Sequence, residues 1–186
     1  MVALQELWLP IVVATVLTFL AGSVLHMMLP LHKKDWQRLP DEDAAMDRIR
    51  QLNPPPGNYM FPAPSGPDDL KNPEFQARME RGPVGLMILR APGRFSMGPL
   101  LVRMVLYHLV VSILVAYVAG RSLAPGIEYL RVFQIAGTTA ILGYSAAVVP
   151  FGIWYGPPAR FTLNQIIDGV VWGLLTAGVY GWLWPR

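Results

Sequence analysis

The chain has 186 residues, of which 53% are hydrophobic and 15% charged, and its mean hydropathy is +0.38. These values are too apolar for a soluble domain of this length and predict a single helical membrane bundle. The formal charge of +3 comes from basic residues dispersed around apolar segments, which is typical of topology signals, so we expect no nucleic-acid partner. The absence of cysteine excludes disulfides, thiolate metal sites, iron-sulfur clusters and cysteine nucleophiles.

The first predicted element is a membrane-spanning helix over Leu7–Leu29. Its uncharged run of about 23 residues exceeds the roughly 20 that a hydrocarbon core requires. Glu6 precedes it where a signal peptide would have basic residues, and no small-residue cleavage site follows, so we expect the segment to be retained. Small residues at helical spacing predict a face that packs against another helix. They are Ala14, Thr18, Ala21 and Gly22.

The only sizeable polar region follows, from residue 31 to residue 97, and it holds most of the charged side chains. His32-Lys33-Lys34 stands at its start, whereas Glu6 is the only charged side chain before the first span. The positive-inside bias therefore predicts that this insert is cytoplasmic and that the N-terminus is outside. The sequence thus divides into a first helix (residues 1–30), a polar insert (31–97) and a three-helix block (98–186).

Four segments of the insert have local structural signals. The residue pattern of Asp41–Leu52 predicts a short amphipathic helix capped by Asp41, and that of Pro73–Arg81 predicts a second short helix. Val84–Leu89 has the composition of a strand that could pair with Asn58–Phe61. The prolines between them predict extended chain.

A disordered linker is the alternative for this insert, but its apolar content exceeds that of most disordered segments. We therefore expect a proline-rich, partly ordered cap at the cytoplasmic face of the membrane, with aromatic side chains available to a partner. These candidates are Trp36, Tyr59, Phe61 and Phe75.

Three further spans are predicted in the second half of the chain: Gly98–Val118, Val132–Val149 and Leu163–Trp184. Pro150 is expected to end the third helix, so that Trp154 and Tyr155 fall in a short inner loop. Runs of this length argue against a β-barrel. The predicted fold is an all-α membrane protein with four transmembrane helices and both termini outside.

Ionisable side chains within predicted spans are functional candidates because they are costly in lipid unless paired. Of these we single out Arg103, His108 and Asp168. Arg103 and Asp168 have similar predicted depths, which favours a structural ion pair between the second and fourth helices over a proton relay. His108 is expected near the bilayer centre, either joining helices by a hydrogen bond or relaying protons.

Other polar motifs give no catalytic residue, metal ligand or cofactor. Gly93 to Gly98 has the spacing of a phosphate loop, but Pro99 stands where lysine is required. His26 and His108 differ by about 10 Å in predicted depth, which argues against a shared haem iron. Ser145 lies in a degenerate nucleophile motif and is more simply a small polar residue between helices. Glycines predicted to allow close helix packing are Gly143, Gly169 and Gly173.

Several short segments resemble an uncharacterised family of bacterial four-helix inner-membrane proteins with a long loop between helices one and two. The segments that carry the resemblance are Lys33-Lys34-Asp35, Leu39-Pro40-Asp41-Glu42-Asp43-Ala44, Asn58-Tyr59-Met60-Phe61-Pro62, Gly82-Pro83-Val84-Gly85 and Gly181-Trp182-Leu183-Trp184-Pro185-Arg186. The resemblance implies a bacterial inner-membrane location. It implies no activity and assigns no site residues.

Two functions are compatible with these observations. Abundant packing surface and scarce chemistry favour a non-enzymatic membrane scaffold or accessory subunit of a larger inner-membrane complex, in contact with lipid and with a protein partner or further copies of itself. The alternative is a small oligomeric channel or transporter for protons or a small solute, using His108, Arg103 and Asp168.

Overall fold

A computed structural model describes residues Met1–Arg186, which are mostly helical. The chain forms two compact units. The first, here called the helical unit, comprises Met1–Gln37 and Ser96–Arg186. The second, the insert unit, comprises Arg38–Phe95.

The predicted first helix is confirmed. A 3₁₀ turn at Leu4–Leu7 leads into α1 (Trp8–Ser23), and a π-helical segment at Val24–Met28 continues it. Pro10 is tolerated because the first-turn amides of a helix have no intrahelical acceptor. The helix ends before Pro30, which begins a second 3₁₀ turn, Pro30–His32.

The second half of the chain is built from α4 (Gly98–Ser122), α5 (Tyr129–Ser145), α6 (Val148–Tyr155) and α7 (Ala159–Trp182). Three helical stretches are long and apolar enough to cross a membrane, namely Leu4–Met28, Gly98–Ser122 and Tyr129–Tyr155. The last helix, α7, has 24 residues but is not among them. Its polar residues Asn164, Gln165 and Asp168 lower its hydropathy.

The prediction that the third helix ends at Pro150 is wrong. The chain turns at Ala146 and Ala147 and continues as α6 to Tyr155, so that Trp154 and Tyr155 are helical rather than in a loop. Pro150 is accommodated because it is the third residue of α6, where its missing N–H removes no intrahelical hydrogen bond.

Small residues hold the helical unit together. The Gly169-x-x-x-Gly173 face of α7 lies against Ser145 and Ile141 of α5, and Gly22 of α1 lies against the ring of Trp172. Since these glycines carry no side chain, the helix axes approach closely. The fully buried residues around these contacts include Leu7, Val115, Val132, Ala136, Ala140 and Tyr180.

The predicted elements of the insert unit are confirmed with little change. The first is α2 (Glu42–Leu52), which Asp41 caps by accepting a hydrogen bond from the amide of Ala44 at 3.4 Å. The second is α3 (Pro73–Arg81), which begins directly after Asn72. Because its side chain accepts from the Glu74 amide at 2.9 Å, Asn72 satisfies a first-turn donor.

The proposed strand pairing within the insert unit is also present. Strand β1 (Gly57–Phe61) runs antiparallel to β2 (Gly85–Leu89), with Tyr59 opposite Met87. The two strands form a two-stranded sheet. The insert unit therefore contains two helices and a two-stranded sheet in addition to its prolines.

Candidate functional site

Two histidines and a carboxylate meet where the end of the first helix approaches α7. His26 lies in the π-helical segment, His32 ends the following 3₁₀ turn, and Asp168 belongs to α7. An extended Leu29 and a new 3₁₀ turn beginning at Pro30 separate the two histidines, and their imidazole rings stack with centroids 3.9 Å apart and planes 12° from parallel. One ligand atom from each of the three residues lies within 4.8 Å of the others.

The Asp168 carboxylate lies between the two histidines. His26 Nε2 is 3.0 Å from Asp168 Oδ2, and His32 Nε2 is 3.2 Å from Oδ1. The Asp168 side chain is fully buried, whereas that of His26 is 42% exposed. Although His26 lies at ion-pair distance, Oδ2 has no hydrogen bond. A buried carboxylate in this setting requires compensating positive charge.

A second layer of hydrogen bonds orients His32. Its Nδ1 lies 2.7 Å from Asp35 Oδ2. The Asn164 side-chain amide donates to Asp35 Oδ1 at 2.7 Å and to the Leu31 carbonyl at 3.0 Å. Because a carboxylate only accepts, the Asp35 contact assigns a proton to Nδ1 of His32. If the His32 ring is neutral, its Nε2 atom has no proton and directs its lone pair toward Asp168.

A separate buried group surrounds His108 on α4. Its side chain is fully buried, and Nδ1 lies 3.4 Å from the hydroxyl of Tyr144. The Trp172 ring meets the imidazole edge to face at a centroid distance of 4.9 Å. His108 Nε2, Trp172 Nε1 and Ser145 Oγ have no hydrogen-bond partner in the protein. Buried polar atoms in this state are commonly satisfied by ordered water.

One hydroxyl network ties three helices together toward the other end of α7. The Tyr180 hydroxyl donates to the main-chain carbonyl of Ser112 at 2.7 Å and lies 3.0 Å from its side-chain oxygen. Ser112 Oγ also lies 3.2 Å from the carbonyl of Ile11, which accepts from it. This network is fully buried at Ser112 and Tyr180, as expected of polar groups that join membrane helices.

The structure does not form the expected ion pair between Arg103 and Asp168. Arg103 is exposed and makes no salt bridge, whereas Asp168 lies against His26 and His32. The predicted ion pair does not form because the first half of α4, which carries Arg103, contains no buried residue before His108. Similar depth along two helices therefore did not bring the side chains together.

The remaining candidates lie in different environments. A Cβ at Gly143 would lie 3.2 Å from Val111 of α4. Trp36 is 81% exposed and belongs to the helical unit rather than the insert unit, where it contacts Phe161 edge to face. Phe61 is exposed, but Phe75 is only 7% exposed, which leaves it little surface for a partner.

The fourth aromatic candidate, Tyr59, is half-buried in strand β1. Its hydroxyl donates to the carbonyl of Pro55 at 2.5 Å. The ring is therefore held by a local contact within the insert unit.

Sequence reasoning considered His26 only as a haem ligand and did not single out His32 or Asp35. Two signals were available. His26 is an ionisable residue inside a predicted span, and His32-x-x-Asp35 has the spacing that places two side chains on one face of a helical turn. Neither signal predicts that Asp168 lies beside these two histidines.

Comparison of the chain with protein-family models, with curated proteins and with solved structures finds no match.

Proposed function

We propose that the protein is a non-enzymatic accessory subunit or scaffold of the bacterial inner membrane. In this proposal α7 is the fourth span, the insert unit is cytoplasmic, and both termini are outside. Two observations support the fourth span. The 24 residues of α7 extend over about 36 Å at about 1.5 Å per residue, and its glycine face packs along α5, which belongs to a membrane-length helix. The proposed orientation rests on the basic residues that follow the first span.

The observation that carries the proposal is the environment of Arg103. The first buried residue of α4 is His108, so that Arg103 lies on a half-helix exposed on nearly all sides. It has no ion-pair partner within the chain. Because a charged side chain within a span is costly unless it is paired, we propose that a membrane helix of another protein supplies an aspartate or glutamate to Arg103.

A second unburied surface supports the same conclusion. Helix α6 (Val148–Tyr155) contains no buried residue, and Ile153 and Trp154 are 73% and 80% exposed. Apolar side chains that face lipid need no protein partner. An exposed Trp154 on α6 and an exposed Arg103 on α4, however, favour contact with another protein. Scarce catalytic chemistry and abundant packing surface then point to an accessory role.

The test is affinity purification of the full chain from native membranes in mild detergent. We expect wild-type protein to recover a membrane protein with an acidic residue in a span, and Arg103→Gln to lose it. Arg121→Gln is the matched control, because Arg121 is also an exposed arginine on α4 but lies at its opposite end. Recovery of wild-type protein as a monomer without any partner would contradict the proposal.

A proton-conducting channel or transporter is the second candidate, and the unpartnered buried atoms favour it. Ser145 Oγ, His108 Nε2 and Trp172 Nε1 all lack partners. Ser145 contacts Gly169, which adjoins Asp168, and Tyr144 next to Ser145 is within hydrogen-bonding reach of His108. If water molecules bridge these groups, they would connect Asp168 to His108 through the interior of the helical unit.

Proton flux into proteoliposomes tests this second candidate. We expect His108→Gln and Asp168→Asn each to abolish flux if the path is used, while Arg121→Gln leaves it unchanged. Wild-type flux no greater than that of empty liposomes would exclude this function. It would leave the accessory role intact.

A further inference from the structure

We propose that His26, His32 and Asp168 bind one divalent first-row transition-metal ion, and that Asp35 positions His32 for it. The site belongs to the helical unit. The proposal is independent of the accessory role, because the partner contact through Arg103 lies on α4, which contributes no ligand to the cluster.

The geometry of the cluster carries the inference. His32 Nδ1 lies 2.7 Å from Asp35 Oδ2, which leaves Nε2, 3.2 Å from Asp168 Oδ1, as the nitrogen that can ligate an ion. A cation bound there would also compensate the fully buried Asp168 carboxylate. The arrangement of a ligating imidazole whose other nitrogen donates to a carboxylate is the one that metal-binding histidines adopt.

The two contacts of the carboxylate match the distance between ligands that share an ion. Two atoms that are each about 2.1 Å from a metal, at angles of about 90 to 109°, lie about 3.0 to 3.4 Å apart. Asp168 Oδ2 lies 3.0 Å from His26 Nε2, and Asp168 Oδ1 lies 3.2 Å from His32 Nε2. Asp168 Oδ2 is buried and has no hydrogen bond, so it retains a lone pair for an ion.

The ligand types select the metal class. Two imidazoles and one carboxylate form the set used for zinc and for non-haem ferrous iron, and three protein ligands leave positions open for water. Calcium and magnesium prefer sites made of oxygen ligands, and copper(I) prefers sulfur. A divalent ion such as Zn²⁺, Fe²⁺ or Co²⁺ therefore fits best.

The site is accessible from one side. His26 is 42% exposed, whereas the Asp168 side chain is fully buried. Because the two rings are nearly parallel, at 12°, they must tilt toward each other to direct both lone pairs at one ion. The exposed His26 ring, in a short π-helical segment at the end of its helix, has the freedom to do so.

The experiment uses the full chain in detergent, purified without a histidine tag and stripped of metal by a chelator. Zn²⁺ binding is followed by calorimetry, and Co²⁺ binding by visible absorption, which reports the coordination of the ion. We expect one ion per chain and a Zn²⁺-dependent rise in the thermal unfolding midpoint. Asp35→Asn should weaken binding by about 10- to 100-fold, and His26→Gln, His32→Gln or Asp168→Asn by at least as much.

His108→Gln is the matched control, because the chain has three histidines and His108 is the one outside the cluster. It should bind Zn²⁺ with wild-type affinity. Should Asp168→Asn fail to fold, the exposed His26→Gln variant still decides the question. Two results would overturn the proposal: His26→Gln binds Zn²⁺ as tightly as wild type, or its Co²⁺ absorption spectrum equals that of wild type. The cluster would then be a set of hydrogen bonds that joins helices. Neither result bears on partner recovery through Arg103.

Discussion

Gly173 of α7 lies directly against the main chain of Ile141 on α5: a Cβ placed on Gly173 would be 3.0 Å from the Ile141 nitrogen and 3.2 Å from its Cα. Main-chain atoms cannot rotate away as the end of a side chain can. A methyl group at this position would therefore have to push the two helices apart.

We expect Gly173→Ala to lower the free energy of unfolding by about 1 to 3 kcal/mol, the usual cost of overpacking. The measurement is reversible unfolding in mixed micelles. Gly178→Ala is the matched control on the same helix, because its Cβ would meet only the Tyr129 hydroxyl at 3.9 Å. It should be neutral or stabilising by up to about 1 kcal/mol. Equal losses in the two variants would argue against close packing of α7 on α5.

Tyr180→Phe should destabilise the helical unit by about 1 kcal/mol. The change removes a hydroxyl that donates to the Ser112 carbonyl at 2.7 Å, and interhelical hydrogen bonds in membrane proteins contribute about 0.6 kcal/mol on average and up to about 1.7. Tyr117→Phe on α4 is the control, because Tyr117 is 58% exposed. The same unfolding assay distinguishes the two, and a silent Tyr180→Phe would show that the network is not formed in solution.

Phe75→Ala should unfold the insert unit within the full chain. Phe75 is 7% exposed on the short helix α3, and truncating a buried phenylalanine costs about 3 to 5 kcal/mol. Limited proteolysis should cut the insert much faster in this variant than in wild type. Phe95→Ala serves as control, since Phe95 is 68% exposed, and equal cleavage of both variants would mean that Phe75 does not stabilise the unit.

The proposed orientation has a direct test because the chain contains no cysteine. Asp69→Cys lies in the insert unit and Arg186→Cys at the C-terminus. In intact cells, a membrane-impermeant thiol reagent should label Arg186→Cys and not Asp69→Cys, and permeabilisation should expose both. The reverse pattern would invert the topology and remove the cytoplasmic assignment of the insert.

Local patterns were sufficient for much of the secondary structure. The apolar run of the first helix, the Asp41 cap of α2, the bounds of α3 and the pairing of Asn58–Phe61 with the strand after Gly82-Pro83 are all readable from neighbouring residues. Each depends on hydropathy, capping or turn chemistry over a few positions.

Pro150 lies close to a helix break that it does not itself occupy. Proline disrupts a helix interior, but the main chain turns at Ala146 and Ala147 and begins a new helix, in which Pro150 is the third residue. The turn lies three to four residues before Pro150, where the ring and the missing N–H of a proline disrupt a helix.

By itself the sequence determined that the protein has membrane-length apolar helices and a structured polar insert, because burial in lipid and local capping depend on residue type and short-range order. Only the tertiary structure decided which ionisable groups meet. Depth along a helix placed Asp168 level with Arg103, but the rotation of each helix about its axis decides which side chains face each other. The glycine face of α7 packs against α5, and in that orientation Asp168 faces His26 and His32 instead.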